Sequence, residues 1–470
     1  MPLSDCIFGQ NKNIILMKKY TLQIVLLSSM LLGSIGLKAQ MNVLYADTLN
    51  KFLAYCQTDR NMQGVAAGVV FSDGSIWSQA SGYAGSDPLS KNLLYDIGSN
   101  TKSMIATIIL QLEEEGKLSL DDTLYTYLAP NPNISFGITL KQLLNHRSGT
   151  YSYTLHPSFG NVVNNQPKLF LHPDTILSQF MDVPDFTPGN RYKYSNTGYL
   201  LLGQVIEGIE SKSLHQVLRD RIFTPNNMDS TFLDQYDTFG LQKAGTWFGS
   251  NTYDTTNYVS FMSAAWAAGG VVSTPKEFAQ YAHKLFSGQL FSAASMQKMQ
   301  TGSQIGGAST YGLGAIKWSY KGKTYLGHGG TTLQNSEMEY SIESDFSLVI
   351  MNIDYDFYDE TATTKRRFLD LLEYLEETHA SIGIEENELV LSLNVYPNPS
   401  SDYINLELSE APVNQDLKIE VHDLMGRKVF EQEMHDSTAV LHKGDVGTGM
   451  FILRLVSNKG VVLTKQVSFN

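Results

Sequence analysis

The stretch from Ser99 to Leu112, SNTKSMIATIILQL, restricts the fold more than any other part of the chain. From Met104 onward almost nothing in it prefers water, and a helix without a polar face has to be surrounded by protein. That demands a sizeable core. The chain can supply one, since 42% of its 470 residues are hydrophobic and it carries 25 Tyr and 22 Phe. Yet Lys102 stands at the mouth of this helix. An ammonium drawn into apolar surroundings is costly unless it is paired or sheds its proton. Either Lys102 reaches the surface, or it sits there for chemistry.

The rest of residues 40–380 reads as one mixed α/β (α+β) unit. Gly64 to Phe71 and Ser75 to Ala80 have strand character, as do Thr324 to Gly327, Glu337 to Ile342 and Phe346 to Asn352. Helices are expected at Val43 to Cys56, Ser99 to Glu115, Thr139 to Asn145, Thr197 to Gly208 and Thr364 to His379. Strands split between the two ends of the unit predict a discontinuous antiparallel sheet flanked by helices. A large insert, residues 117–300, would form a mostly helical lobe. Residues 381–393 are an acidic connector. Beyond them, residues 394–470 change texture to short alternating runs, Ile404-Leu406-Leu408, Leu417-Ile419-Val421, Phe451-Leu453-Leu455 and Val461-Leu463. Turns such as Met425-Gly426 and Asn458-Lys459-Gly460 separate them, which predicts a small all-β sandwich.

Charge and cysteines exclude several classes. A formal net charge of -13 argues against a nucleic-acid partner, because phosphate binding needs a basic surface. The two cysteines, Cys6 and Cys56, fit neither a zinc pattern nor a disulfide scaffold. Cys56 is expected to be a buried structural thiol. From Met17 the chain reads Met-Lys-Lys, then an apolar run from Leu22 to Leu37, then Lys38-Ala39-Gln40. This is the pattern of a secretory signal peptide cut after Ala39, so residues 1–39 are read as a leader whose true start is Met17. Serines and glycines break the run, and no other stretch suits a membrane span in the mature chain.

Three short patterns carry chemistry. Ser99-x-x-Lys102 places two side chains on one helical face. A serine hydroxyl attacks only when a base takes its proton, and a desolvated lysine is such a base. The same spacing recurs at Ser273-x-x-Lys276 and Ser295-x-x-Lys298, but there the lysines can reach water. Thr274-Pro275-Lys276-Glu277 reads as a capping box with proline at the first helical position. Tyr194-Ser195-Asn196 offers a proton relay and an amide, or simply a polar turn. Gly327-His328-Gly329-Gly330-Thr331 offers glycines at a strand end, where backbone or substrate can approach closely, or a tight turn. No GxSxG elbow occurs, which disfavours a Ser-His-Asp hydrolase.

In this order the three patterns resemble the penicillin-recognising serine hydrolases of the class C β-lactamase and D-alanyl-D-alanine carboxypeptidase group, which includes esterases and D-aminopeptidases. Ile97 to Ser103 continuing into Glu113 to Asp122, Leu143 to Gly149, Tyr194 to Tyr199, Ala268 to Thr274 and Tyr311 to Gly314 carry the resemblance, over residues 45–375. It implies that Ser99 forms an acyl-enzyme on an amide or ester substrate, with Lys102 and Tyr194 sharing the base and acid roles. It implies an oxyanion hole from the backbone N–H groups of Ser99 and Thr331, with Asn196, His328, Gly329 and Gly330 binding substrate. His328 would replace the lysine of the family's third motif, gripping a carboxylate or tuning Tyr194. No metal or cofactor is implied. Thr331-Thr332-Leu333-Gln334-Asn335 lacks the Pro-Gly often found after that strand. A catalytically silent relative that binds peptidoglycan through the same cleft is the alternative.

The last module resembles the sorting domain of the bacterial type IX secretion system, on Val395-Tyr396-Pro397-Asn398-Pro399, Asp423 to Val429 and Gly447 to Phe451. This implies a Bacteroidetes-type bacterium, a secretion-machinery partner, and export past the outer membrane to the cell surface or the medium, with loss of the module on the way. The other reading is an adhesion or carbohydrate-binding sandwich, in which the large domain is a scaffold.

Overall fold

A computed structural model describes residues 45–249, 251–382, 393–408, 417–423, 427–434, 436–457 and 460–470. The expected leader, Val43, nearly all of the connector and the Met425-Gly426 and Asn458-Lys459 turns lie outside the described residues.

The first strand of the chain pairs with the last strand of the large unit. Strand β1 (Gly64–Val70) runs antiparallel to β9 (Phe346–Asn352), with Val65 opposite Asn352 and Val69 opposite Leu348. Outward from β1 lie β2 (Ile76–Ala84) and β3 (Asp87–Pro88). Outward from β9 lie β8 (Asn335–Ser341), β7 (Lys323–Thr331), β6 (Ile316–Tyr320), β5 (Ser309–Tyr311) and β4 (Ser303–Gly306). The nine strands thus run β3-β2-β1-β9-β8-β7-β6-β5-β4, all antiparallel.

Both central strands are buried throughout, so the sheet is covered on both faces. The two-residue period of β1 sorts its side chains between two cores. Val65, Ala67 and Val69 join Leu49, Phe52 and Leu53 of helix α1 (residues 45–59) and Phe368, Leu369 and Leu372 of the closing helix, Tyr358–Ile382. Ala66 and Val70 face the larger core that runs into the lobe. Cys56 belongs to the first core, fully buried, and burial pushes its thiol up to about 12, which leaves it unreactive.

The lobe is built around helix α2 (Thr101–Glu114), whose residues from Thr101 to Leu110 are all buried. Around it stand α3 (Leu140–Leu144), α4 (Asn196–Glu210) and α5 (Val259–Gly269). Thr139 caps α3 in a full capping box with Gln142. The lobe ends earlier than residue 300. Helix α6 (Pro275–Phe286) packs on the sheet instead, because Gly68 lets its first turn sit directly on β1. A Cβ on Gly68 would come 2.2 Å from the Pro275 carbonyl oxygen. Thr274 does cap α6 through the Glu277 N–H, with proline at the first position. The reciprocal half of the expected box is missing: the Glu277 carboxylate accepts from Ser230 N–H at 2.9 Å and Thr231 Oγ1 at 2.7 Å.

The C-terminal module forms a three-stranded sheet (Leu393–Tyr396, Tyr403–Leu408, Thr438–His442) and a four-stranded one (Lys428–Met434, Leu417–Asp423, Gly449–Ser457, Gly460–Phe469). They share one core that includes Ile404, Leu406, Ile419, Val421, Leu453 and Leu455. Three strands of the module are absent from the sequence reading: Lys428–Met434 and Thr438–His442 are mostly exposed and carry no alternating apolar signal, and Leu393–Tyr396 is only four residues long. Among the described residues, no helix is long and apolar enough to cross a membrane.

Two glycines give opposite predictions. Gly68→Ala forces α6 off β1 and should cost about 1–3 kcal/mol. Gly208→Ala, on α4 with open space beside it, should gain up to about 1 kcal/mol. Denaturant midpoints of the two variants check both signs.

Candidate active site

Ser99 sits in a single 3₁₀ turn, Gly98–Asn100, that leads into α2. Gly98 adopts φ +52°, a conformation that favours glycine. One turn on, Lys102 is fully buried, so it does not escape to water. Its Nζ lies 2.9 Å from Ser99 Oγ and donates to the Ala268 carbonyl. It stands 4.9 Å above the Tyr194 ring and 5.4 Å above that of Tyr199. Among the described residues, no carboxylate pairs with it. Burial without a counter-charge pulls its pKa well below the ordinary 10.5. The two decoy lysines behave differently: Lys276 is exposed, and Lys298 pairs with Glu113 at 2.8 Å.

The Ala268 carbonyl is available because it lies in the last turn of α5, where carbonyls have no intrahelical partner; just before it the helix breaks at Trp266, whose φ of +34° is forbidding for a bulky side chain. Tyr194 is half-buried, but its hydroxyl is shielded and makes no protein hydrogen bond of normal geometry. Burial raises its pKa, and the nearby Ser99 hydroxyl opposes that rise.

Two imidazoles complete the cluster. His328 Nδ1 lies 2.5 Å from the Gly329 carbonyl, so it carries the proton, and Nε2 accepts from Tyr311 Oη at 2.9 Å. Burial first, and Lys102 second, push His328 down to about 3. It is neutral with both nitrogens engaged, so the grip on a carboxylate expected of it has no charge behind it. Its proximity to Tyr194, ring centroids 6.3 Å apart, fits the other expected role. His146 went unassigned in the sequence. Its ring lies against that of Tyr194, centroids 4.1 Å apart and tilted by 35°, and it accepts the Ser195 N–H through Nδ1 at 3.2 Å. Burial and Lys102 hold it neutral as well.

The end of β7 docks on the serine turn, backbone against backbone. A Cβ on Gly330 would come 2.1 Å from the Ile97 carbonyl oxygen, and one on Gly98 2.8 Å from the Thr331 nitrogen. Gly330 therefore seats the strand rather than facing substrate. Gly329 points the other way, toward Tyr358 and Glu337. A cleft opens beside Ser99, and Asn196 and Thr331 line it, together with Tyr153, Phe159, Phe261, Ala265, Ala268 and Thr332. The Asn196 side chain is held by a bond to Thr154 Oγ1 at 3.2 Å. Ser99, Asn196 and Thr331 thus meet at the cleft, with Lys102, Tyr194 and His328 packed behind.

Residues 48–369 match the family model described as Beta-lactamase. The chain belongs to the Beta-lactamase family. Residues 394–469 match the model of a secretion system C-terminal sorting domain, which addresses this family member for export to the cell surface or beyond. Among its relatives is the putative penicillin-binding protein PbpX of Bacillus subtilis (strain 168), 30% identical over 249 residues. That alignment covers 52% of this chain and 58% of the Bacillus protein. A putative D-alanyl-D-alanine carboxypeptidase of Escherichia coli O157:H7 is 26% identical over 335 residues, covering 62% of this chain and 75% of that one. A D-stereospecific amidohydrolase from Streptomyces sp. superposes with a TM-score of 0.60 at 26% identity, over 67% of this chain and 97% of that structure.

A lysine charged in the unfolded chain and neutral in the fold lowers stability at every pH below its unfolded pKa. The cost shrinks as pH rises toward 10.5 and vanishes above it. Lys102→Met should therefore raise the melting temperature near neutral pH, with a gain that fades as pH approaches 10.5. Thermal scans across pH measure this.

Proposed function

We propose that this Beta-lactamase family member is a serine hydrolase that cleaves a neutral amide or ester through an acyl-enzyme on Ser99. The observation that carries the reading is the 2.9 Å contact between Ser99 Oγ and a buried Lys102 amine with no carboxylate beside it. A neutral amine takes the serine proton as Oγ attacks the substrate carbonyl carbon. Charge then develops on the carbonyl oxygen, which the N–H groups of Ser99 and Thr331 receive. Tyr194, kept protonated by burial, hands a proton to the leaving nitrogen or oxygen. Water enters by the same route in reverse, restoring the serine. Asn196 holds a substrate amide at the cleft wall.

The cleft also supports a substrate class. Its walls combine aromatic and small apolar residues with neutral polar ones, and among the described residues no lysine or arginine lines it. A free carboxylate finds no counter-charge there, whereas an amide or ester with an apolar acyl side chain does not need one. The amidohydrolase and carboxypeptidase names of the relatives point to D-amino-acid amide bonds as the first substrates to try. The C-terminal module hands the chain to the secretion machinery and is then removed, leaving the hydrolase on the cell surface or in the medium.

The test is intact mass of the full chain after exposure to a fluorophosphonate and, separately, to a penicillin. An adduct that disappears in Ser99→Ala is the expected result. Turnover of an aromatic D-amino-acid amide should exceed that of a peptide with a free C-terminal carboxylate. Absence of any adduct would turn the reading to a ligand-binding relative. The rate should fall on the acid side as Lys102 gains its proton. Lys102→Arg should lower kcat at least ~10³-fold, because a guanidinium stays charged.

A further inference from the structure

We propose that Asp96, Lys243, Thr332 and Gln334 form a buried clamp that sets the Thr331 amide against Ser99, which makes them positioning residues for the oxyanion site. This rests on the hydrolase reading above. The two N–H groups of that site come from distant parts of the chain, one at the start of α2 and one at the end of β7. The Gly98–Gly330 seat brings the backbones together but does not fix the turn that follows β7. That turn, Thr331 to Asn335, has no proline to stiffen it.

Hydrogen bonds supply the stiffness. Asp96 lies three residues before Ser99, in a short strand paired to Val272, and is fully buried. Its carboxylate accepts from Thr332 Oγ1 at 3.3 Å, and its N–H donates to Gln334 Oε1 at 3.0 Å. Gln334 Nε2 donates in turn to the carbonyls of Ala244 at 3.0 Å and Gly245 at 3.3 Å. Beside Ala244, Lys243 Nζ lies 3.1 Å from Asp96 and 2.5 Å from Asp234. Asp234 is tied by its own N–H to the Gly270 carbonyl at 2.9 Å, two residues past the Ala268 that Lys102 uses. Leu94 and Ala244 are joined at 2.8 Å, closing the loop. Thr331 Oγ1 and Asn335 Oδ1, 2.9 Å apart, brace the turn from within.

One set of bonds therefore links the serine turn, the lysine's carbonyl partner and the oxyanion strand. Two carboxylates and a lysine so deep in protein are a poor way to gain stability, since apolar side chains of equal volume often serve as well. They are a good way to fix distance. Oxyanion donors act only when preorganised, and a shift of about 1 Å costs about a hundredfold in rate.

Removing Lys243 would leave two buried carboxylates unpaired, so the test uses gentler changes. Thr332→Val keeps the shape and deletes the bond to Asp96, and Thr332→Ser keeps the bond. Gln334→Met is a second, independent cut. For each full-chain variant, kcat and KM on an activated ester, the Kd of an arylboronic acid and the melting temperature are measured. The boronic acid adds to Ser99 as a tetrahedral oxyanion mimic. Expected are a ~10–100-fold fall in kcat for Thr332→Val and Gln334→Met, KM within ~3-fold, and a boronate Kd that rises by the same factor as kcat falls. Thr332→Ser, which restores the bond to Asp96, should recover most of the kcat and boronate affinity that Thr332→Val loses. Folded Val and Met variants with wild-type kcat, or a kcat loss with unchanged boronate affinity, overturn the clamp alone. A wild-type chain with neither turnover nor a fluorophosphonate adduct overturns the hydrolase reading, and the clamp with it.

Discussion

The burial of one lysine without a counter-ion is the constraint on which the rest of the site depends. A carboxylate near Lys102 would fix its proton in place, and water would solvate the ammonium. The fold excludes both. The apolar faces of α2 remove water, aromatic rings of Tyr194 and Tyr199 stand against the amine, and the anchor is a backbone carbonyl. The two imidazoles nearby are themselves kept neutral by burial and by the lysine. Each group makes protonation of the next harder. Lys102 and both imidazoles are therefore held neutral, with the hydroxyl protons left on Tyr194 and Ser99, the state that the proposed attack by Ser99 requires.

Close backbone approach is the second element. Strand β7 touches the serine turn through glycines, so main chain rests directly on main chain beside Ser99. Glycines that look like room for substrate are spent on this contact. The cleft is left to Asn196, Thr331 and a ring of aromatic and small residues, which explains its neutral character.

Much of this was legible in the sequence. The unbroken apolar run after Ser103 marked α2 as central, and Lys102 as anomalous within it. Apolar and alternating runs identified β1, β2, β7, β8 and β9 of the large sheet but not β3 to β6, which are short or half-exposed, and the ordered context separated Ser99 from two decoy serines. What stayed hidden falls into two kinds. Some contributions are backbone groups, such as the Ala268 carbonyl, which residue identity cannot reveal. Others are polar residues whose meaning depends on distant partners. Asp96, Lys243 and Gln334 look like ordinary surface residues until the fold buries them together. His146 lay within a stretch marked by resemblance, yet its contact with the Tyr194 ring arises only when two loops meet. The end of the lobe was misplaced for a related reason, since nothing local shows that a helix will rest on Gly68.

The pairing of β1 with β9 has a consequence for a chain that must leave the cell. The middle of the sheet is made from residues near both ends of the large unit, and β7, which docks on the serine turn, lies two strands out from β9 and late in sequence. Contacts that long are slow to form. A chain delivered from its N-terminus presents Ser99 early and β7, β8 and β9 only near the end of the large unit. Until those strands have emerged, Ser99 has no β7 beside it, so a partly delivered chain does not hold the assembled site.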